Sequence, residues 1–453
     1  MAVVQTWNAA ELEALDRAHV LHPVSNLHAV ERDGPLVLTR GEDVFVWDAE
    51  GKRYIDAFAG LWNVNVGHGR TELADAAAAQ MREIGFVPAF FGLSSPPQIE
   101  LATKLAELLP DPLNHFQFTS GGAESNETAL KIARYYWWLK GQQTKVKILS
   151  RRMAYHGIAM GALAATGIPT YHEGFGPLAP GYVHLTAPYP YRNGDGMSDD
   201  EFVAALVHEL EETIAREGAD TIAAMIGEPI QGSGGVVVPP HGYWQAIAPV
   251  LREHNILLIF DEVICGFGRT GTMFGMNQYA VTPDIVSFAK GVTSGYLPLG
   301  GVGVSDDIFE TLAAPDRMFM HGFTYSGHPV ACAVALPNIK IIEDERLPAN
   351  AAKAGTYLLG RLQPLLERPY VGNVRGKGLM LFVEVVADKA SKQKFEPPFN
   401  VSGKLTKATR QRGIIVRPVA DGIAIAPPLT IQQPELDTIA DVIGDALAEV
   451  FEA

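Results

Sequence analysis

From about residue 70 to residue 335, amphipathic stretches alternate with short apolar runs. TELADAAAAQMREI (71–84) and PPQIELATKLAELL (96–109) have the look of helices. KVKILS (145–150), TIAAMIG (221–227), NILLIF (255–260) and DIVSFA (284–289) read as buried strands, too short for helices of their own. Strands separated by helices predict a mostly parallel sheet with right-handed crossovers. Before this region, DVFVWDAEGKRYIDA (43–57) places two apolar runs around a turn at Asp48 to Gly51, as a hairpin does. After residue 335, helical AAKAGTYLLGRLQPLLE (351–367) accompanies the short strands LMLFVEV, GIIVRP and GIAIAP, a smaller α+β mixture. No internal repeat is visible.

A chain of 453 residues exceeds one ordinary core, so two lobes are expected. Gly (45) and Pro (30) are scattered, which predicts many tight connections rather than a low-complexity segment. The net charge of −15 would repel a phosphate backbone, so neither nucleic acid nor an anionic membrane is expected as a partner. The two cysteines, Cys265 and Cys332, have no paired spacing; a disulfide framework and a zinc knuckle are both disfavoured. The first ten residues lack Lys and Arg, and no apolar run approaches the ~20 residues of a membrane-spanning helix. The chain therefore reads as cytoplasmic.

Three charges fall in equivalent places. Glu228 follows TIAAMIG, Asp261 follows NILLIF and Lys290 follows DIVSFA, at spacings of 33 and 29 residues, about one βαβ unit each. Each would project from the carboxyl end of a parallel strand, where open α/β sheets bind ligands. Any one of them alone would be an ordinary solvated strand end; three on one edge point to a site. A lysine amine with a partner carboxylate is what pyridoxal phosphate (PLP) demands, one for a Schiff base and one for the pyridine nitrogen. The cofactor's phosphate needs a concave set of backbone N–H groups. TSGGAESNETALKIARYY (119–136) offers them where a glycine pair runs into a helix beginning near Glu124, although an ordinary glycine turn would look the same. Tyr155 and His156, in MAYHG, follow the next strand. The Tyr155 ring could stack on a planar cofactor or simply fill the core.

At these residues the chain resembles the class III (ω-type) aminotransferases of PLP fold type I. GGAESNETALKIAR, YHG, GEPIQGSGG, IFDEVICGFGRTG, PDIVSFAKG and GFTYSGHPVACA carry the resemblance in the family's order, and WDAEGKRYIDAFAGLWNVNVGH extends it toward the N-terminus. The resemblance implies a large PLP-binding domain over residues 71–335, with 1–70 and 336–453 forming a small domain from both chain ends. It implies that Lys290 is the Schiff-base lysine and Asp261 the partner of the ring nitrogen. Tyr155 and Val263 would then cover the two ring faces, Gly122 and Ala123 hold the phosphate, and Glu228 join the hydrogen bonds near the ring. Thr324 would reach the phosphate from a neighbouring subunit, so a homodimer or dimer of dimers is implied. Ala123 departs from the family's usual Ser, which removes one hydroxyl contact. Leu61, Trp62, Phe90 and Phe323 match the substrate pocket of amine–pyruvate members, in which Tyr155 also takes part, and Arg417 matches their carboxylate-binding arginine. The implied reaction is ping-pong transfer of an amino group from an amine or ω-amino acid to a keto acid, pyruvate in the first instance.

GFGRTG (266–271) matches a dinucleotide fingerprint in letters, but DEVIC separates it from the strand and no helix pattern follows. No P-loop, G-x-S-x-G or H-E-x-x-H occurs, and the thirteen histidines show no metal-ligand spacing, so no metal is expected. A PLP aminomutase or decarboxylase, an ω-amino acid transaminase using 2-oxoglutarate, and a non-catalytic PLP-fold regulator are the competing readings. The last would be expected to carry a basic DNA-binding segment, which is missing.

Overall fold

The structure, a computed structural model, describes residues 7–396, 399–419 and 421–452. The predicted hairpin forms as β2 (Phe45–Asp48) and β3 (Arg53–Asp56), with β1 (Leu38–Glu42) alongside. The central sheet has seven strands: β4 (Leu113–Thr119), β5 (Lys147–Arg151), β6 (Tyr182–Leu185), β7 (Ile222–Gly227), β8 (Leu257–Asp261), β9 (Ile285–Phe288) and β10 (Gly300–Ser305). Their order is β4-β10-β9-β8-β7-β5-β6. The four strands expected from apolar runs are β5, β7, β8 and β9, and they pair in parallel. β6 adds a further parallel strand at one edge.

The strand β10 runs antiparallel between β9 and β4, a departure from simple parallel alternation. Its sequence GGVGVS is half glycine, a residue that weakens strands. Space explains the glycines: a Cβ at Gly301 would lie 2.5 Å from the Phe288 ring, and one at Gly303 would lie 2.8 Å from Phe116. A third, at Gly300, would meet the Ser125 hydroxyl at 2.6 Å, where the helix Gly122–Leu139 begins.

Beyond the central sheet come β11 (Val371–Gly376), β12 (Leu381–Val385), β13 (Ile414–Ile415), β14 (Arg417–Val419) and β15 (Gly422–Ile425). Chain ends meet here, since β13 pairs in parallel with β3, while β11-β12-β15-β14 form a separate antiparallel sheet. Arg269 ties the junction together. Fully buried, it donates to the carbonyls of Leu379 (3.0 Å) and Pro427 (2.5 Å) and to the Asn65 amide oxygen (2.8 Å). Burial without a carboxylate partner pulls its pKa down to about 9. The letters GFGRTG thus house a clamp between distant segments, and the helix a nucleotide fingerprint needs is absent there.

Among the described residues, no helix is long and apolar enough to cross a membrane, and no group of His, Cys, Asp or Glu is placed to hold a metal ion.

Candidate active site

Adjacent parallel strands carry the three charges to one edge. Gly227, the last residue of β7, pairs with Phe260 of β8, and Asp261 pairs with Ser287 of β9. Glu228, Asp261 and Lys290 follow or end these strands in neighbouring positions. Lys290 opens a tight turn, Lys290–Val292, with φ near +50°, an uncommon conformation for a residue with a side chain. The Asn338 amide holds that turn by donating to the carbonyls of Gly291 (2.8 Å) and Val292 (2.9 Å). Burial and the nearby Arg417 cation pull the Lys290 amine down to about 8, although Asp261 and Glu228 act in the opposite direction.

Asp261 is fixed from three sides. Its Oδ2 accepts from the Asn126 amide (2.7 Å) and sits 2.8 Å from His156 Nδ1; its Oδ1 accepts from the Val263 N–H (3.0 Å). His156 Nε2 is buried and has no hydrogen-bond partner among the described residues, so Nδ1 is the ring nitrogen that donates, to Asp261. Asn126 is fixed in turn by the Ser287 hydroxyl (2.6 Å). One Asp261 oxygen is saturated, while the other keeps room for a further donor.

Glu228 is buried, which pushes its carboxyl pKa up. Its two oxygens accept from the N–H groups of Tyr155 (3.0 Å) and Gly232 (2.7 Å), and so tie the Tyr155 segment to the loop after β7. Gly122 and Ala123 open the helix Gly122–Leu139, where the first N–H groups have no carbonyl behind them. No side chain fits at Gly122, because a Cβ would lie 2.8 Å from a Val263 methyl. Gly157, at φ +115°, is pressed against Ala123 in the same way, at 2.8 Å. These contacts put a bare helix start beside Val263, close to the Asp261 carboxylate.

Arg417, on β14, donates to the Ser233 hydroxyl at 3.3 Å and lies 5.5 Å from the Phe58 ring. Phe58 in turn meets Trp62 edge-on at 5.5 Å. Trp62 is only 1% exposed and packs among Phe58, Ile230, Ile264 and Phe382, whereas Leu61 is 56% exposed. Phe90, Phe323 and Thr324 belong to another face. Phe90 packs near Gly322 and Phe91, Phe323 packs on His321, and Thr324 is exposed. Among the described residues, no hydrogen bond or aromatic contact joins these three to the Lys290 cluster.

Sequence alone assigns no role to Asn126, His156, Ser287, Ser233 or Phe58. Asn126 had a readable signal, since it falls on the buried helix stripe shared with Ala129, Leu130, Ala133 and Trp137. A polar residue on such a stripe needs a buried partner. Ser233 and Phe58 carried no such signal, because only the fold brings them to Arg417.

The donor set suits a cofactor with an aldehyde, a ring nitrogen and a phosphate. A lysine that gives up its proton near neutrality beside an immobilised carboxylate, with a bare helix start packed against neighbouring Val263, defines a PLP enzyme rather than a nucleotide-binding one. Comparison with known proteins narrows the class. The family model for class III aminotransferases matches residues 28–447. A thermostable (S)-enantioselective omega-transaminase from Thermomicrobium roseum is 71% identical, covers 99% of this chain and 100% of its own, and superposes with a TM-score of 0.98. The putrescine–pyruvate aminotransferase of Pseudomonas aeruginosa is 43% identical across 98% of this chain and 97% of its own length. The diaminobutyrate–2-oxoglutarate transaminase of Halomonas elongata is 40% identical across 97% and 96%. The chain belongs to the class III aminotransferases, has PLP fold type I, and uses pyridoxal 5′-phosphate.

Proposed function

We propose that this aminotransferase takes the amino group of an apolar amine or ω-amino acid and delivers it to pyruvate, using Lys290 for proton transfer and Arg417 for the keto-acid carboxylate. The observation that carries this reading is the state of Arg417. Its guanidinium rests on one neutral hydroxyl and an aromatic face, and among the described residues no carboxylate is hydrogen-bonded to it. A long stem so lightly held can meet a substrate carboxylate in a bidentate, charge-assisted way, then withdraw when the donor has none. The likeness to the P. aeruginosa enzyme favours pyruvate, and the likeness to the H. elongata enzyme keeps 2-oxoglutarate as the alternative acceptor.

When bound, the cofactor supplies a carbonyl carbon for the donor amine and a ring that withdraws electrons from the substrate carbon. The protein's own residues do the rest. Lys290 Nζ would anchor the cofactor and, when free, would take up the proton from the substrate carbon and give it back. Asp261 Oδ1, which accepts only the Val263 N–H among the described residues, would keep the ring nitrogen protonated. Tyr155 and Val263 would hold the ring, the N–H groups of Gly122 and Ala123 would hold the phosphate, and Glu228 keeps Tyr155 in register through its main-chain N–H. Trp62 acts as a wall behind Phe58, while Leu61, Phe90 and Phe323 complete the pocket in the assembled enzyme. Residues 71–335 are the PLP-binding unit in this scheme, and 1–70 with 336–453 the smaller one.

Replacing Arg417 by Ala is expected to weaken the pyruvate half-reaction by roughly 2–3 kcal/mol, the worth of a charged hydrogen-bond pair. The half-reaction with a carboxylate-free amine should change little. Stopped-flow traces of the two half-reactions, with pyruvate and 2-oxoglutarate compared as acceptors, test this. Equal damage to both would make Arg417 structural, and product formed without any keto acid would point instead to a mutase or decarboxylase.

Thr324 is exposed on a face that also displays Phe91, Met318, Met320 and Tyr325, beside a groove of about 620 Å³. A face this apolar is costly to leave in water. A second copy of the chain would cover this face, with Thr324 reaching that copy's phosphate site. Sedimentation of the holoenzyme is expected to give a dimer or a multiple of one, with PLP lost on dissociation. A fully active monomer would contradict it.

A further inference from the structure

Two arginines of one small sheet reach the same loop. Arg375 comes from β11 and Arg417 from β14, the two edge strands of β11-β12-β15-β14. The loop runs from Glu228 to Val237, and Gln231 and Val237 close its neck with main-chain hydrogen bonds of 3.1 and 2.8 Å. One side of it serves the site, where the Gly232 N–H holds Glu228 and Ser233 accepts from Arg417. Arg375 grips the other side. Its Nε donates to the Val236 carbonyl (2.9 Å), Nη2 to that of Gly235, and Nη1 to Glu384 (2.7 Å) and Asn373 (3.0 Å). The rings of Tyr189 and Phe382 lie 4.4 and 4.6 Å from the guanidinium. Glu384 also receives the Tyr189 hydroxyl and Arg192 (2.7 Å), which keeps the carboxylate paired independently of Arg375.

The loop needs such a grip. Val236 sits at φ +51° and Gly235 at φ +104°. A β-branched residue in the left-handed region is strained, and it persists only where its surroundings over-determine it. Gly234 blocks retreat on the inner side, since a Cβ there would lie 2.2 Å from the Met153 carbonyl oxygen. The loop is therefore pinned between the Met153 main chain and the Arg375 fork. A lysine, a single point charge, cannot span both carbonyls as the planar fork does.

We infer that Arg375 is a positioning residue for the keto-acid half of the reaction: by holding the carbonyls of Gly235 and Val236 it fixes Ser233, the hydroxyl that keeps Arg417 turned toward the site. This rests on Arg417 being the carboxylate-binding residue. The test uses holoenzyme carrying Arg375→Gln or Arg375→Lys, each alone and combined with Arg417→Ala, with both half-reactions followed by stopped flow. Arg375→Gln is expected to weaken pyruvate binding roughly tenfold, about the worth of one charge-assisted hydrogen bond, and to change the amine half-reaction by less than about twofold. Arg375→Lys should fall between it and wild type. In the Arg417→Ala background, Arg375→Gln should cost pyruvate nothing more. Amide exchange across residues 232–237 should quicken in the Gln variant. Equal losses in both half-reactions, or the full loss persisting without Arg417, overturns the inference while the Arg417 assignment stands. If Arg417→Ala alone proves unselective, that assignment falls and takes the inference with it. Should the Gln variant not fold, wild-type pyruvate binding in the Lys variant overturns it.

Discussion

Lys290→Ala is expected to lose the visible absorbance of the lysine-linked cofactor and nearly all turnover. The loss should be on the order of five decades in rate, about 7 kcal/mol of barrier. Two functions vanish together, the covalent anchor and the amine that moves the proton. The turn that carries Lys290 is held by Asn338 through main-chain carbonyls, so truncating the side chain leaves that scaffold in place. The change therefore reports on the amine. Substantial turnover in a preparation free of wild-type protein would remove Lys290 from the mechanism.

The depressed Lys290 amine, near 8, has a consequence in the cofactor-free enzyme. Only the unprotonated amine attacks an aldehyde, and below its pKa that fraction grows about tenfold per pH unit. Capture of added PLP is thus expected to accelerate from pH 6 toward 8 and then level off. Because Arg417 helps to lower this amine, Arg417→Ala should move the plateau to higher pH. A rate still climbing in wild type toward pH 10 would mean an ordinary, solvated lysine.

Periodicity and spacing made the edge of the sheet legible before any coordinates. Three of the four apolar runs of strand length end on Glu228, Asp261 and Lys290 at intervals near one βαβ unit, and parallel pairing then leaves no other place for them. What stayed hidden was held by other forces. The strand β10 is glycine where aromatic rings cross it, so it lacks the apolar signature of its neighbours. Ser233 and Phe58 take their meaning from Arg417, which lies 184 residues from Ser233 in the chain. Such pairings depend on tertiary closure, to which local pattern is blind. Arg375 reads as a strand arginine followed by glycine, and nothing local marks it as a clamp. Trp62 is legible only through its motif: the resemblance assigns it to the substrate pocket, and in the fold it stands edge-on to Phe58, with its indole N–H buried and, among the described residues, unpartnered.

Asp261→Asn is expected to keep PLP bound while turnover falls on the order of a thousandfold, about 4 kcal/mol of barrier. The hydrogen-bond inventory around Asp261 explains why an amide cannot stand in. Asn126 and His156 both donate to Oδ2, so the new carbonyl oxygen must take that position. The amide nitrogen is then forced to the Oδ1 position, where the Val263 N–H also donates. Two donors face each other, and the ring nitrogen meets an N–H instead of a carboxylate. Turning the amide over only moves the conflict to Asn126 and His156. In either orientation the charge that keeps the ring nitrogen protonated is gone, and with it the ring's ability to take up the electrons left on the substrate carbon. The substitution leaves the helix start at Gly122 and Ala123, proposed to hold the phosphate, and Lys290, the proposed anchor, untouched, so cofactor content after gel filtration should stay near stoichiometric. Measuring kcat beside that content separates lost chemistry from lost cofactor. A kcat within about threefold of wild type, with full PLP, would show that the charge of Asp261 does not carry the chemistry.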